Sequence, residues 1–570
     1  MGNADPRCLL LADFTVSGLV PHLEAVSPAP SMQCAVAPFD QVRRLLVDPS
    51  AECWTPRPDV ALVWTRPESA IASFGRLVEG EPVETAEILD EVDRFARQLV
   101  SASERVGTLL VASWTRPAFD RGLGVRNLDR RRGPGYHLLR MNTSLADATS
   151  AVGSLFVLDA ERWMAQAGPQ ASNPKLWHMG KIAFGPDVLR RAALDVKAAR
   201  RAVMGQARKL VVVDLDDTLW GGIVGEVGWE GLSLGGHDPV GEAFVAFQRA
   251  LKALTRRGII LGIVSKNTED VALEAIDRHP EMVLRRGDFA GWRINWEDKA
   301  ANVAALAKEL ELGLDAVVFI DDSPAERARV RQALPDVLAP EWPVDRLLYE
   351  RALRELDCFD TAAISEEDRR RTEMYVAERA RREAAGAAED LADYLHSLRL
   401  RVIVEPVFHA NLGRAWQLLN KTNQMNLRTR RMSEPDYWEW TRRPECQTFT
   451  YRVEDRFGDY GLTGLAGVTM SDGVSTIEDF VLSCRVMGRG VEETVLHTLV
   501  EHARALGSRS VRATLIQTKR NEPCQQFFEK RSGFERSGCE FGWDTARAYP
   551  APAHVSIEHR SESVVVASSS

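Results

Sequence analysis

The densest concentration of chemistry-bearing residues in this chain is Asp214-Leu-Asp216-Asp217-Thr218, set directly behind the run Lys209-Leu-Val-Val-Val213. A strand that is apolar at every position is buried on both faces of a parallel sheet. Its C-terminal carboxylates then emerge at the sheet edge, where α/β folds bind ligands. Acids crowded on one short turn repel each other unless a cation sits among them, and carboxylate oxygens suit Mg2+. Ile259–Val264 predicts a second apolar strand, ending in Ser265-Lys266-Asn267. Lys299 opens a predicted helix over Lys299–Leu310, and Ala316–Ile320 predicts a third strand ending in Asp321-Asp322-Ser323. Strands that each end in phosphate-compatible groups predict one site on one sheet edge. The bland alternative is an acidic turn at 214–217 and a solvated lysine at 299. Four pieces in this order, each at a strand or helix end, weigh against it.

This order resembles the haloacid dehalogenase (HAD) superfamily of phosphatases and phosphotransferases. Its four motifs match Asp214-x-Asp216-x-Thr218, Ser265, Lys299 and Asp321-Asp322. The resemblance implies that Asp214 attacks phosphorus and that Asp216 serves as general acid and then as base. Thr218 and Ser265, with Lys266 and Asn267 beside it, would bind the substrate's phosphate. Lys299 would neutralise the charge of the pentacoordinate state. Asp214, Asp216, Asp321 and Asp322 would form the Mg2+ shell. The chemistry is coherent, because a metal and a lysine let an anionic carboxylate approach an anionic phosphate.

A second concentration lies near the C-terminus. Ile477–Ser483 predicts a strand, followed by Cys484-Arg485-Val486-Met487-Gly488-Arg489-Gly490 and the amphipathic helix Val491–Leu506. An R-x-x-G-x-G turn between strand and helix lets backbone N–H groups at Gly488 and Gly490, beside Arg485, approach a pyrophosphate or pantetheine chain. It also serves as a packing turn. Cys484, near a helix N-terminus and flanked by Arg485, is a candidate nucleophile. Its alternative is a small buried hydrophobe. With Ser510–Leu515, Asn521, Phe527-Phe528 and Gly533-Phe534, the region resembles GNAT-type acyltransferases. The basic run Arg428, Arg430, Arg431, after Asn423-Gln424-Met425-Asn426, is a solvated face or a landing site for an acidic carrier protein or its phosphopantetheine. His497 and His409 are candidate bases or ordinary structural histidines.

These groups need several domains to position them. At about one domain per 150 residues, the 570-residue chain predicts three or four. The reading is α/β multidomain: an α/β domain over 1–200, a Rossmann-like α/β domain over 205–355, a helical linker over 356–399, an α+β domain over 400–545 and a flexible tail over 546–570. In the first domain, Cys8–Leu11, Asp59–Trp64, Gly107–Ala112 and Ser154–Leu158 predict parallel strands between helices. Apolar residues make up 45% and charged residues 27%, as in a globular enzyme. A net charge of −9 argues against nucleic-acid binding and against a polybasic membrane anchor. Met1–Phe14 lacks the features of a signal peptide, and no stretch reaches the ~20 apolar residues of a membrane span. Eight cysteines without C-x-x-C spacing predict neither a disulfide framework nor a zinc cage, which suits the reducing cytoplasm.

Taken together, the chain resembles FkbH-like proteins of polyketide biosynthesis. The matching stretches are Asp214-Leu-Asp-Asp-Thr-Leu-Trp-Gly-Gly222, Ile320-Asp-Asp-Ser-Pro-Ala-Glu-Arg327, Thr422-Asn-Gln-Met-Asn426 and Ser483-Cys-Arg-Val-Met-Gly-Arg-Gly-Val-Glu492. The resemblance implies an enzyme that takes a glyceryl unit from 1,3-bisphosphoglycerate, a small phosphorylated three-carbon substrate. It removes phosphate and leaves a glyceryl thioester on the phosphopantetheine arm of an acyl carrier protein, with Cys484 matching the family's acyl-holding thiol. It also implies an SGNH-hydrolase-like N-terminal domain. Here Ala12-Asp13-Phe14 stands where a G-D-S is expected, and Lys175-Leu-Trp-His178 lacks the acid of a D-x-x-H. That region is therefore read as a docking or architectural element. The competing readings are a phosphatase whose acyltransferase-like domain only binds a carrier, and a non-catalytic carrier-binding scaffold.

Overall fold

A computed structural model describes residues 5–117, 119–362, 371–387, 390–422, 424–432, 434–518 and 520–560. The chain divides into two compact units, Met1–Ile259 with Glu297–Asp368, and Ile260–Trp296 with Arg369–Ser570. Among the described residues no helix is long and apolar enough to cross a membrane.

In the first unit a five-stranded parallel sheet runs in the order Gln33–Val36, Arg7–Ala12, Val60–Trp64, Thr108–Ala112, Leu155–Leu158. Successive side chains of a strand point to opposite faces. Leu9, Leu11, Ala61 and Val63 accordingly pack on one side with Phe74, Phe95 and Trp114. Cys8, Leu10, Leu62 and Trp64 pack on the other with Phe14, Trp163 and Phe184. Burial on both faces is why Arg7–Ala12, Val60–Trp64 and Thr108–Ala112 are legible as apolar runs. Leu155–Leu158, a half-buried edge, is still apolar at every position. The fifth, Gln33–Val36, is a largely exposed edge and carries no such signal.

The same unit holds a second parallel pair, Leu210–Val213 against Val317–Ile320, with all eight residues buried. Asp298 caps the helix Lys299–Glu309 by accepting from the Ala301 amide at 3.3 Å. Ser323 caps Pro324–Ala333, with Pro324 in the first turn where its missing N–H costs nothing. These caps fix where Lys299 and Asp321–Ser323 leave the backbone.

The second unit begins with the parallel pair Ile260–Ser265 and Phe289–Ile294. The helix Arg371–Ala387 packs on it, with Arg379 donating to the Phe289 carbonyl at 3.0 Å and lying 4.2 Å over the Trp292 ring. A mixed sheet follows in the order Glu535–Ser537, Glu540–Asp544, Ser510–Thr514, Val474–Leu482, Gly458–Ser471, Cys446–Asp455, Leu400–Pro406, Val555–His559. The helix Val491–Ala505 crosses between the parallel strands Val474–Leu482 and Ser510–Thr514. Those two strands pair only over Val474–Ile477. Beyond that point Val481 and Leu482 pair instead with Met425–Asn426, so the two long strands part.

Two expectations change here. The 546–570 segment is not a loose tail throughout: Val555–His559 adds a parallel strand to Leu400–Pro406, from Leu400 opposite Val555 to Val404 opposite His559. Residues 561–570 and Asn423 lie outside the described residues. The helical segment before residue 400 is more than a linker. Arg381 forms a two-pronged ion pair with the buried Asp455, at 2.6 and 2.9 Å, and stacks 4.0 Å over Tyr460. Breaking one partner of such a buried pair strands the other charge. Arg381→Ala is therefore expected to lower unfolding stability by about 3–5 kcal/mol in denaturant titration. A loss below about 1 kcal/mol would mean that the pair is solvated.

Candidate functional site

Asp214 is the first residue beyond the strand Leu210–Val213, and its amide donates to the Ile320 carbonyl at 3.0 Å. The chain then turns sharply. Asp217 adopts φ 54°, a left-handed conformation that aspartate tolerates, and Gly222 lies at φ 99°. At Gly221 a Cβ would sit 3.0 Å from Ser233 and 3.1 Å from the Phe244 ring, which accounts for the Gly-Gly pair after Trp220.

The turn brings together a buried charged group. The ammonium of Lys299 stands 3.0 Å from Asp214 Oδ1 and 2.6 Å from Asp321 Oδ2, with all three side chains buried. Asp321 also accepts from the Ser323 amide at 2.9 Å. Thr218 donates to Asp322 Oδ1 at 3.3 Å and accepts from the Asp322 amide at 3.1 Å. Arg327, itself buried, donates to the carbonyls of Asp321 and Asp322 at 2.7 Å and pins the strand end.

Burial alone would push the Lys299 ammonium down, but the charges of Asp214 and Asp321 outweigh it and hold the lysine protonated. Burial, reinforced by the charge of Asp214, lifts the Asp321 carboxyl to about 6 despite Lys299. Asp322 is raised by burial and by the charges of Asp214 and Asp217. The three carboxylates Asp214, Asp321 and Asp322 each offer an oxygen, and these oxygens all lie within 4.8 Å of one another. With one ammonium among three carboxylates, the fully ionised group is two negative charges in excess. Asp214 Oδ1 is buried with no aligned hydrogen bond, its contact to Lys299 being ionic only. Hard oxygen donors, an excess of two negative charges and a buried unsatisfied oxygen fit Mg2+.

Two residues differ from expectation. Asp216 is not in the ligand cluster: its Oδ1 accepts from Trp220 Nε1 at 2.8 Å and from the Val224 amide at 3.1 Å. Thr218 is fully buried, and its hydroxyl engages Asp322. Ser265 and Asn267 are buried at the end of Ile260–Ser265, Lys266 is exposed, and all three belong to the second unit.

In that second unit Cys484 is exposed and begins a 3-10 turn, Cys484–Val486, directly after Ser483. The pairing of Met425 with Leu482 and of Asn426 with Val481 places Met425–Asn426 beside the strand that delivers Cys484. Asn521, fully buried, donates to the Asn426 carbonyl at 3.0 Å and holds Asn426 in place. Arg485 points toward Ser483 Oγ at 3.3 Å and Met374 Sδ at 3.5 Å. Gly488 and Gly490 take φ 76° and 85°, and Gly490 caps the helix Val491–Ala505. The Gly488 N–H, expected to face a ligand, donates at 2.7 Å to Glu492 Oε1 instead.

The basic run does not form an open patch. Arg428 pairs with Glu478, Arg430 pairs with the buried Asp479 and stacks 3.9 Å over Trp440, and Arg431 donates to the Leu419 carbonyl. Arg428 and Arg430 are thus paired with carboxylates of a neighbouring strand, while Arg431 is held by a backbone carbonyl. His497 is held by the Tyr549 carbonyl at 2.7 Å, and His409 packs edge-on against Trp438. In the N-terminal sheet Asp13 accepts from the Arg66 amide at 3.0 and 3.1 Å, and the Arg66 guanidinium lies 4.1 Å over Trp177.

No protein-family model matches this chain, and no curated protein matches it. Among solved structures it is similar to the N-terminal part of protein BF1531 from Bacteroides fragilis, which contains a phosphatase domain complexed with Mg. That likeness has 28% identity and a TM-score of 0.57, over 63% of this chain and 95% of that one. The chain is a multidomain α/β protein with a phosphatase-domain neighbour. Shorter matches include a Vibrio cholerae spermidine N-acetyltransferase in complex with CoA and spermine (14% identity, 26% of this chain and 97% of that one, TM-score 0.22). Another is the Escherichia coli ribosomal-protein-S18-alanine N-acetyltransferase (10% identity, 26% and 96%, TM-score 0.21). Scores this low bear no weight.

Proposed function

We propose that this chain is a Mg2+-dependent phosphatase coupled to an acyl transferase. It would convert 1,3-bisphosphoglycerate into a dephosphorylated glyceryl thioester on an acyl carrier protein. The observation that carries the phosphatase half is the buried group of Asp214, Asp321, Asp322 and Lys299. The Mg-bound phosphatase neighbour supports it.

Asp214 Oδ1 attacks phosphorus, the P–O bond to the glyceryl unit breaks, and Asp216 gives its proton to the departing oxygen. Asp216 then takes a proton from water as that water opens the aspartyl phosphate and releases inorganic phosphate. The hydrogen bonds from Trp220 and Val224 fix the direction of the Asp216 carboxylate for both transfers. Lys299 stays protonated and faces the oxygens that gain charge. Asp214, Asp321 and Asp322 would hold Mg2+, which neutralises phosphate charge when bound.

The acyl half rests on the exposed Cys484 at the mouth of the strand–loop–helix turn, an arrangement that resembles GNAT-type acyltransferases. Its thiolate attacks the acyl-phosphate carbonyl, phosphate leaves, and the carrier's pantetheine thiol takes the glyceryl group. The N-terminal sheet, resembling SGNH hydrolases but without their serine, is architectural. A cytoplasmic location suits eight unpaired cysteines.

Inorganic phosphate released with Mg2+ and 1,3-bisphosphoglycerate tests the first half, and EDTA is expected to stop release of the ester phosphate. Release that persists in EDTA contradicts the metal site. Cys484→Ser tests the second half: carrier loading falls by at least about 100-fold while ester-phosphate release stays within about twofold. Undiminished loading would mean direct transfer to the carrier thiol.

A further inference from the structure

A glycine turn that binds the pyrophosphate of coenzyme A needs free backbone N–H groups and the positive end of its helix. Here the chain's own acids occupy both. Glu492 is buried and accepts the Gly488 N–H at 2.7 Å, leaving its Oε2 without a partner. Glu492 and Glu493 sit in the first turn of the helix Val491–Ala505 and offset its dipole. Arg531 pairs with Glu493 at 2.7 Å and stands 3.9 Å from Glu492, so its charge is already matched. Arg489 is drawn away to Tyr460 and to Glu378 on the helix Arg371–Ala387.

Beside this turn lies a cavity of about 660 Å3, walled by Gly488, Gly490, Glu493, Trp543, Tyr549 and the Pro550–Pro552 segment. His554, whose Nε2 contacts the Arg489 carbonyl at 2.9 Å, closes its rim, and a side chain at Gly490 would collide with it at 2.8 Å. The C-terminal strand Val555–His559 holds that segment down. The walls are mostly ring faces, prolines and leucine side chains, with the Glu493 carboxylate and the Arg531 guanidinium that pairs with it also among them. Such a surface takes an uncharged chain that brings amide N–H donors, and it offers a diphosphate neither an unmatched positive charge nor the Gly488 N–H, which Glu492 already holds.

We propose that this cavity binds a pantetheine arm and excludes coenzyme A, with Glu492 as the residue that sets the choice. This rests on the carrier-protein reading above and deepens it. Acylation of the freely diffusing coenzyme is thereby suppressed, and the thiol acceptor is selected by the lack of a nucleotide diphosphate.

Calorimetric titration of the full-length protein with pantetheine and with coenzyme A tests the proposal. Pantetheine is expected to bind at least about tenfold more tightly than coenzyme A, on the order of one like-charge contact. Glu492→Gln keeps an oxygen acceptor for the Gly488 N–H while removing the charge. It should narrow the preference by on the order of tenfold, through tighter coenzyme A binding with pantetheine nearly unchanged. Glu493→Gln, at a more solvent-exposed position, is a second variant should the first fail to fold; it should narrow the preference in the same direction. Equal binding of both ligands by the unmodified protein, a preference unmoved in the folded variants, or no pantetheine binding would overturn it. Selectivity that persists in a protein unable to form glyceryl thioester would sink the proposed reaction and leave this inference standing.

Discussion

Asp214→Asn is expected to abolish ester-phosphate release, lowering kcat by at least about 10^4-fold, with the fold intact. The side chain loses its nucleophilic charge but keeps its volume, and Asp214 Oδ1 makes no aligned hydrogen bond that an amide would disrupt. The same change removes one of three mutually repelling carboxylates. The Asp321 carboxyl, lifted to about 6 by burial and then by the charge of Asp214, is relieved. Without Mg2+ the variant should therefore melt at a higher temperature than the parent, and the Mg2+-induced rise in Tm should shrink. Activity within tenfold of the parent would assign the nucleophile elsewhere.

Lys299→Met has the second largest effect, and its sign on stability is opposite. It removes the ammonium that faces Asp214 and Asp321 at 3.0 and 2.6 Å. Two buried carboxylates are then uncompensated, a loss of about 3–5 kcal/mol in metal-free protein. Mg2+ should recover part of that loss, so the Mg2+-induced rise in Tm grows. Turnover should fall by about 10^2–10^3-fold, as when a preorganised group facing developing charge is removed. A variant as stable as the parent without Mg2+ would mean that the carboxylates are protonated and the charge argument fails. Thermal melts with and without Mg2+ therefore separate the two variants independently of substrate.

Local pattern carried much of this arrangement and failed at definable places. The strands ending in Asp214 and Asp321 were legible because burial on both faces leaves no polar position. Lys299 was legible as the opening residue of the predicted helix Lys299–Leu310, which the structure sets at Lys299–Glu309. The true partners of Asp216 and Thr218 were not, since Trp220 Nε1 and Asp322 compete for their oxygens through a turn whose path depends on Gly221 and Gly222. Arg327 and Arg381 resemble solvated helix residues in sequence. Only the tertiary fold reveals that one caps a strand end and the other meets Asp455. Val555–His559 follows a proline-rich stretch and alternates polar residues, so it reads as loose chain. Its pairing depends on an edge offered by Leu400–Pro406, about 150 residues earlier. Glu492 likewise looks like a helix-surface acid until the turn at Gly488 folds onto it.

The measurement that bears most directly on the central claim is the intact mass of a phosphopantetheinylated carrier protein. It would be incubated with this protein, Mg2+ and 1,3-bisphosphoglycerate. The account predicts a mass gain equal to a glyceryl group without phosphate, lost when Asp214 or Cys484 is replaced. A gain that keeps the phosphate, or no gain while phosphate is released, would contradict the coupling of the two sites.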